Sequence, residues 1–217
     1  TPLAMTSLLR LMAEPVSSAA LSRMPRALDS LAVWSVVTGF VFLLRSFGMA
    51  YSEVVIALLD EPGSSASLRR FMAILTVVVT VLLLVVAATP LSMVWFERIT
   101  GLRTELAEFS SRALWVALLM PGINVLQSWY QGLLVHSRRT RGITEAVGIY
   151  LIVSSALLLG GVLWHRVAGL YVALAAVSVG RSIQTVWLWH RSRPAMESME
   201  RRDQDAPALQ VADICAR

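Results

Sequence analysis

Arg10, Glu14, Arg45, Glu53 and Arg181 stand inside stretches that are otherwise apolar, and through them this chain could do chemistry. A charge at the centre of a membrane-crossing helix costs about 2.5–3.5 kcal/mol on insertion scales, so each one marks an ion pair, a helix contact or a pathway for substrate or ions. Arg10 and Glu14 are one helical turn apart on one face, where they can neutralise each other. Arg45 and Glu53 lie two turns apart in one segment and can bracket a single cavity, unless Glu53 already meets water at the inner interface. Arg181 falls near the middle of the last apolar segment. Arg112 precedes its apolar run, so its stem can lie along lipid while its head reaches the interface. Glu145 reads as interfacial.

A second constellation is uncharged. In MPGINVLQSWYQGLLVHSRRTRG, Met120 to Gly142, the side chains of Asn124, Gln127, Ser128 and Gln131 fall within about a 100° arc of one helix. In lipid such a stripe must face protein or a water-filled cavity, because an exposed amide loses its hydrogen bonds. Pro121 withholds one backbone bond and, with Gly122 beside it, predicts a kink that can act as a hinge. The plainer alternative is that the amides only hold helices together.

What the chain lacks narrows the chemistry. All 19 basic residues are arginine, so a P-loop lysine or a Schiff-base lysine is excluded. His136, His165 and His190 lie at helix ends, away from any bilayer-centre metal or haem site, and no hydrolase, metalloprotease or paired-cysteine motif is present. The lone Cys215 reads as a plain cytosolic thiol. These absences predict a protein that is not an enzyme and binds no cofactor, with H+ or Na+ as the possible coupling ion.

The elements that must position these residues follow from composition. The chain is 56% hydrophobic and 15% charged, with a mean hydropathy of +0.66, where ordinary soluble domains carry roughly 25% charged residues. Residues 2–21, 31–59, 71–94, 113–136, 143–164 and 167–189 are each long and apolar enough to cross a bilayer, which takes about 20 residues. The prediction is an all-α polytopic membrane protein: a six-helix transmembrane bundle over 1–190, then a cytoplasmic tail over 191–217, disordered or a loose surface helix. The arginines punctuate the spans, which points to topology and lipid rather than to nucleic acid. With the C-terminus inside, nine arginines flank helix ends on the cytoplasmic side and five on the other, which favours a plasma or inner membrane protein with both ends cytoplasmic. The start at Thr1 reads as a fragment of a longer chain.

The stretch QGLLVHSRRTRG, followed by one helix and then HRVAGLYVALAAVSVGRSIQTVW, resembles the multidrug, oligosaccharidyl-lipid and polysaccharide exporter superfamily, in which a helix ends in a short basic loop and a glycine- and alanine-rich entry opens the last helix. Gly132, Arg138, Arg139, Thr140 and Arg141 carry the first likeness; Gly169, Ala173 and Ala175 carry the second. Trp164-His165-Arg166 stands where the polysaccharide flippases have Leu-Ile-Pro. Pro2, Leu3, Ala4, Arg10 and Pro15 look more like the second half of the progressive ankylosis branch, whose members are implicated in exporting pyrophosphate or small organic anions. The resemblance implies two six-helix lobes around a cavity that opens alternately to either side, with this chain as the C-terminal lobe and an N-terminal lobe as its missing partner. In the cation-coupled multidrug branch of that superfamily it also implies acids in the lobe's first and fourth helices. Glu14 matches the first by position, and the fourth helix has only amides.

The function expected on these grounds is export of a small organic or anionic solute by alternating access. A flippase for a lipid-linked oligosaccharide and a cation-coupled multidrug antiporter are the alternatives within that class, and a structural membrane subunit the alternative outside it. The excess of cavity arginine over acid favours anions.

Overall fold

The computed structural model describes residues 2–59, 63–138, 140–164 and 167–215, the side chains of residues 2–7, 10, 200 and 203–215 excepted. All of its elements are helical: α1 (Pro2–Leu21), α2 (Ala27–Leu58), α3 (Ser64–Ala88), a short α4 (Leu91–Val94) running into a π-helical turn (Trp95–Ile99), α5 (Thr104–Ala117), α6 (Met120–His136), α7 (Arg141–Trp164) and α8 (Gly169–Cys215). Four helices, α2, α3, α7 and α8 up to Met199, are long and apolar enough to cross a membrane. The bent pair α5–α6 makes a fifth candidate.

The burial pattern is what lipid would select. In α3 only Leu68, Val79, Leu83 and Ala87 are buried, a single stripe along one face, while Phe71, Ile74, Val77, Val78, Val81 and Val85 are exposed. Water would leave that surface as a large uncompensated apolar patch. On α7, Ile152 and Leu163 are 71% and 85% exposed, too apolar for a solvent-facing side.

Breaks between helices have local causes. The charge-free segment 71–94 does not run as one helix: α3 ends at Ala88 because Thr89 turns extended (φ −108°, ψ 163°) ahead of Pro90, as the residue before a proline tends to do. The helix containing Pro121 bends by 41°, and the bend falls at Leu118–Leu119, just before the proline. Pro121 has no N–H for the Ala117 carbonyl and its ring crowds that oxygen, so the chain opens between the two residues and restarts with Ile123 N–H donating to Leu119 O at 3.0 Å. Gly122 makes room rather than flexibility: a Cβ there would lie 2.7 Å from Thr80 Oγ1 on α3.

α8 does not stop near residue 190. It continues through the stretch read from sequence as a tail, with Ser192, Ala195 and Met199 buried and Arg202 donating to Leu59 O at 2.7 Å. That stripe alternates with charged and polar residues and holds only one large apolar side chain, Met199, so the segment carries little hydropathy. At the same end of the bundle Arg191 forks onto Glu145 of α7, NH2 lying 2.6 Å from Oε2 and Nε 2.9 Å from it.

The two largest pairings are α7 with α8 and α2 with α6. Glycine sets the second: Gly48 of α2 sits against Asn124 and Ser128, and Gly132 of α6 against Val55 and Ser52. One apolar core holds Val33, Val37, Leu83, Leu114, Leu170 and Leu174; another holds Tyr51, Val55, Leu68, Val125, Trp129 and Leu133. Polar residues collect between them.

Candidate functional site

The polar layer encloses a cavity of about 300 Å³, to which five helices contribute. Glu14 enters from α1, Arg45 and Ser52 from α2, and Asn124, Gln127, Ser128 and Gln131 from α6. Tyr150 comes from α7, and Arg181 with Gln184 from α8. A smaller recess of about 110 Å³ adjoins it, sharing Glu14, Arg45, Asn124, Tyr150 and Arg181 and extending toward Trp34 and Thr38.

The spacing read from the sequence explains how α6 supplies its wall. Residues 124, 127, 128 and 131 repeat at helical intervals, so four polar groups face inward while Val125, Trp129 and Leu133 pack into the core behind them. Asn124 and Gln127 are buried, at 5% and 3% exposure, so their amides need partners. Asn124 Nδ2 donates to Met120 O at 2.8 Å, a carbonyl in the first turn after the bend. Gln127 Nε2 donates across to α8, to Arg181 O at 3.1 Å and Gln184 Oε1 at 3.2 Å.

Arg181 completes the network. Its NH1 donates to Asn124 Oδ1 at 3.3 Å and to Gln127 Oε1 at 3.4 Å, and its guanidinium lies 5.3 Å from the centre of the Tyr150 ring. Gly180 lets that ring lie against α8, since a Cβ there would come within 3.0 Å of Tyr150 Cδ2. Bonds from a guanidinium to a full negative charge usually run about 2.7–2.9 Å. The two amide oxygens therefore position the cation at longer range without neutralising it, and five N–H donors exceed what two oxygens accept.

Across the cavity Glu14 accepts a 3.4 Å hydrogen bond from Trp34 Nε1. Two arginines and one glutamate line this space, a formal balance of one positive charge inside an apolar bundle, where such a charge acts over longer range than in water. The chemical capacity is recognition of a small anion by guanidinium and amide donors. Among the described residues no three of His, Cys, Asp and Glu come together as metal ligands.

Of the residues singled out from sequence, the fold brings Glu14, Arg45, Asn124, Gln127, Gln131 and Arg181 to one cavity. Arg10 lies outside the described side chains, and with it the pairing to Glu14. Glu53 is exposed and stands apart from the cavity lining, so Arg45 faces a space shared with Glu14 rather than with Glu53. Gln184, Tyr150, Ser52 and Trp34 were not anticipated. Gln184, three residues after Arg181 on the same face, was the one with a signal; the others read as ordinary span residues.

No family model, curated protein or solved structure matches this chain.

Proposed function

We propose that the chain is the C-terminal lobe of a secondary membrane transporter that moves a small organic or inorganic anion by alternating access. The observation that carries this reading is the cavity itself: charged and amide side chains from five helices converge on one space between two apolar cores. Helix glue alone would close the gap, whereas here a space of about 300 Å³ stays open among groups that also bond to one another. At about 300 Å³, the space is at the small end of ligand pockets, which suits a di- or tricarboxylate or a pyrophosphate better than a lipid-linked sugar.

In this reading α1, 20 residues long and so about 30 Å, is a sixth crossing beside α2, α3, α5–α6, α7 and α8. Arg69, Arg138, Arg141, Arg191 and Arg202 gather at one end of the bundle, where the ends of α2 and α6 meet the starts of α3 and α7. That end is the cytoplasmic one by the arginine rule, and both chain ends then face the cytoplasm of a plasma or inner membrane. The bend before Pro121 lets the α6 wall move relative to α5. Glu14 is the acid through which H+ or Na+ would couple, and an N-terminal lobe of the same protein would close the opposite side of the cavity.

The test is flux. Proteoliposomes holding the protein should take up radiolabelled citrate or pyrophosphate faster than empty vesicles, and Arg45→Gln should reduce the rate about tenfold or more with unchanged insertion, because one of two cavity cations is removed. Equal flux with and without Arg45 would overturn its assignment.

A further inference from the structure

A second recess, of about 400 Å³, opens at the arginine-rich end between α3, α6 and α8. Arg69 enters from the second turn of α3 and Arg193 from α8, and both are exposed. Trp189 supports Arg193 from beneath, with the guanidinium carbon 3.9 Å from the ring centre. Met72, Met196 and Trp129 give it an apolar wall, and Tyr130 and Glu197 complete the lining.

We infer that this recess holds the headgroup of an anionic phospholipid, phosphatidylglycerol being the simplest match; the inference rests on the membrane reading of the helices. Three features fix the ligand class. The first is depth: α3 changes from Arg69-Arg70 to the charge-free residues 71–88, and α8 changes from an apolar run to Arg191 and Arg193, so the recess lies at the level of headgroups, with an interfacial tryptophan in place. The second is charge. The lining carries two guanidiniums and one carboxylate, a set that can hold a phosphodiester with its one negative charge, whereas inorganic phosphate near neutral pH carries more charge and would meet Glu197. The third is the mixed lining. Glu197 can accept hydrogen bonds from headgroup hydroxyls, and the methionines can adapt to the glyceryl ester region. Basic pockets between spanning helices on the cytoplasmic side are a recurring lipid site.

The test is native mass spectrometry of the full chain released from nanodiscs containing equal phosphatidylglycerol and phosphatidylcholine. The wild type should keep phosphatidylglycerol in preference to phosphatidylcholine, and the Arg69→Gln/Arg193→Gln double variant should lose that preference about 30-fold, as expected for two interfacial arginines. Arg138→Gln/Arg141→Gln, at the same end but outside the recess, should keep it. Trp189→Leu, which removes only the support under Arg193, should reduce it partly. Equal retention of both lipids would overturn the site while leaving the membrane reading in place. A preference unchanged in the double variant would overturn it too, as would displacement of the bound lipid by millimolar inorganic phosphate, which would make free phosphate the ligand.

Discussion

Replacing Arg181 by glutamine is expected to weaken anion binding about 30-fold while leaving the bundle folded. The loss follows from removing the cation that Asn124 and Gln127 hold in the cavity: hydrogen bonds to charged groups are worth about 1.5–3 kcal/mol each, and about 2 kcal/mol corresponds to that factor. The fold survives because glutamine keeps a polar group on this face of α8, from which a water can bridge to the two amide oxygens. Arg181→Leu is the informative contrast. It removes the charge and also leaves Asn124 Oδ1 and Gln127 Oε1 without this donor in a buried setting, at about 1–3 kcal/mol for each orphaned group. Titration calorimetry with citrate should place both variants far below wild type. Thermal melting should separate them, with the leucine variant clearly less stable; equal melting temperatures would mean that the amides do not depend on Arg181.

Gly132→Ile is expected to give the largest loss of stability, about 1–3 kcal/mol of overpacking. A Cβ at Gly132 would meet Val55 Cγ1 at 2.9 Å, Val55 Cβ at 3.1 Å and Ser52 O at 3.4 Å. The last is backbone and the first two belong to a stiff branched side chain, so nothing nearby can swing aside. The same substitution at Gly148 of α7, where a Cβ meets nothing within 4 Å, should be nearly neutral beyond helix propensity. Detergent melting curves check the pair, and similar melting temperatures for the two variants would refute close packing of α2 on α6. Because α2 also carries Arg45 and Ser52, forcing these helices apart should lower anion binding as well.

The polar wall of α6 was legible because helical period and lipid chemistry act on the same residues: once the segment is read as spanning, amides at 124, 127 and 131 must face inward. Arg45 and Arg181 were legible for the same reason, since a charge in a span is costly anywhere else. Pairings between helices were not. Glu14 meets Trp34, 20 residues away, and Arg191 meets Glu145, 46 residues away; neither partner is encoded in local spacing. Of the two readings of Glu53, the fold leaves it exposed and outside the cavity lining, a matter of which α2 face the glycine contacts select. The ends of α3 and α8 differ from the expected ones because hydropathy registers neither the extended residue ahead of Pro90 nor a narrow packing stripe of Ser192, Ala195 and Met199 among charged neighbours.

Cysteine accessibility tests the central claim, that the cavity is water-filled and favours anions, without knowledge of the substrate. With Cys215→Ser as background, Ser52→Cys places one thiol in the cavity lining. An anionic methanethiosulfonate should modify it about tenfold faster than a cationic one, relative to their rates with a small free thiol, because the net positive charge of the site raises the local anion concentration. Adding Arg45→Gln and Arg181→Gln should abolish that preference. A thiol that neither reagent reaches, or one modified faster by the cation, would contradict an anion-selective aqueous cavity.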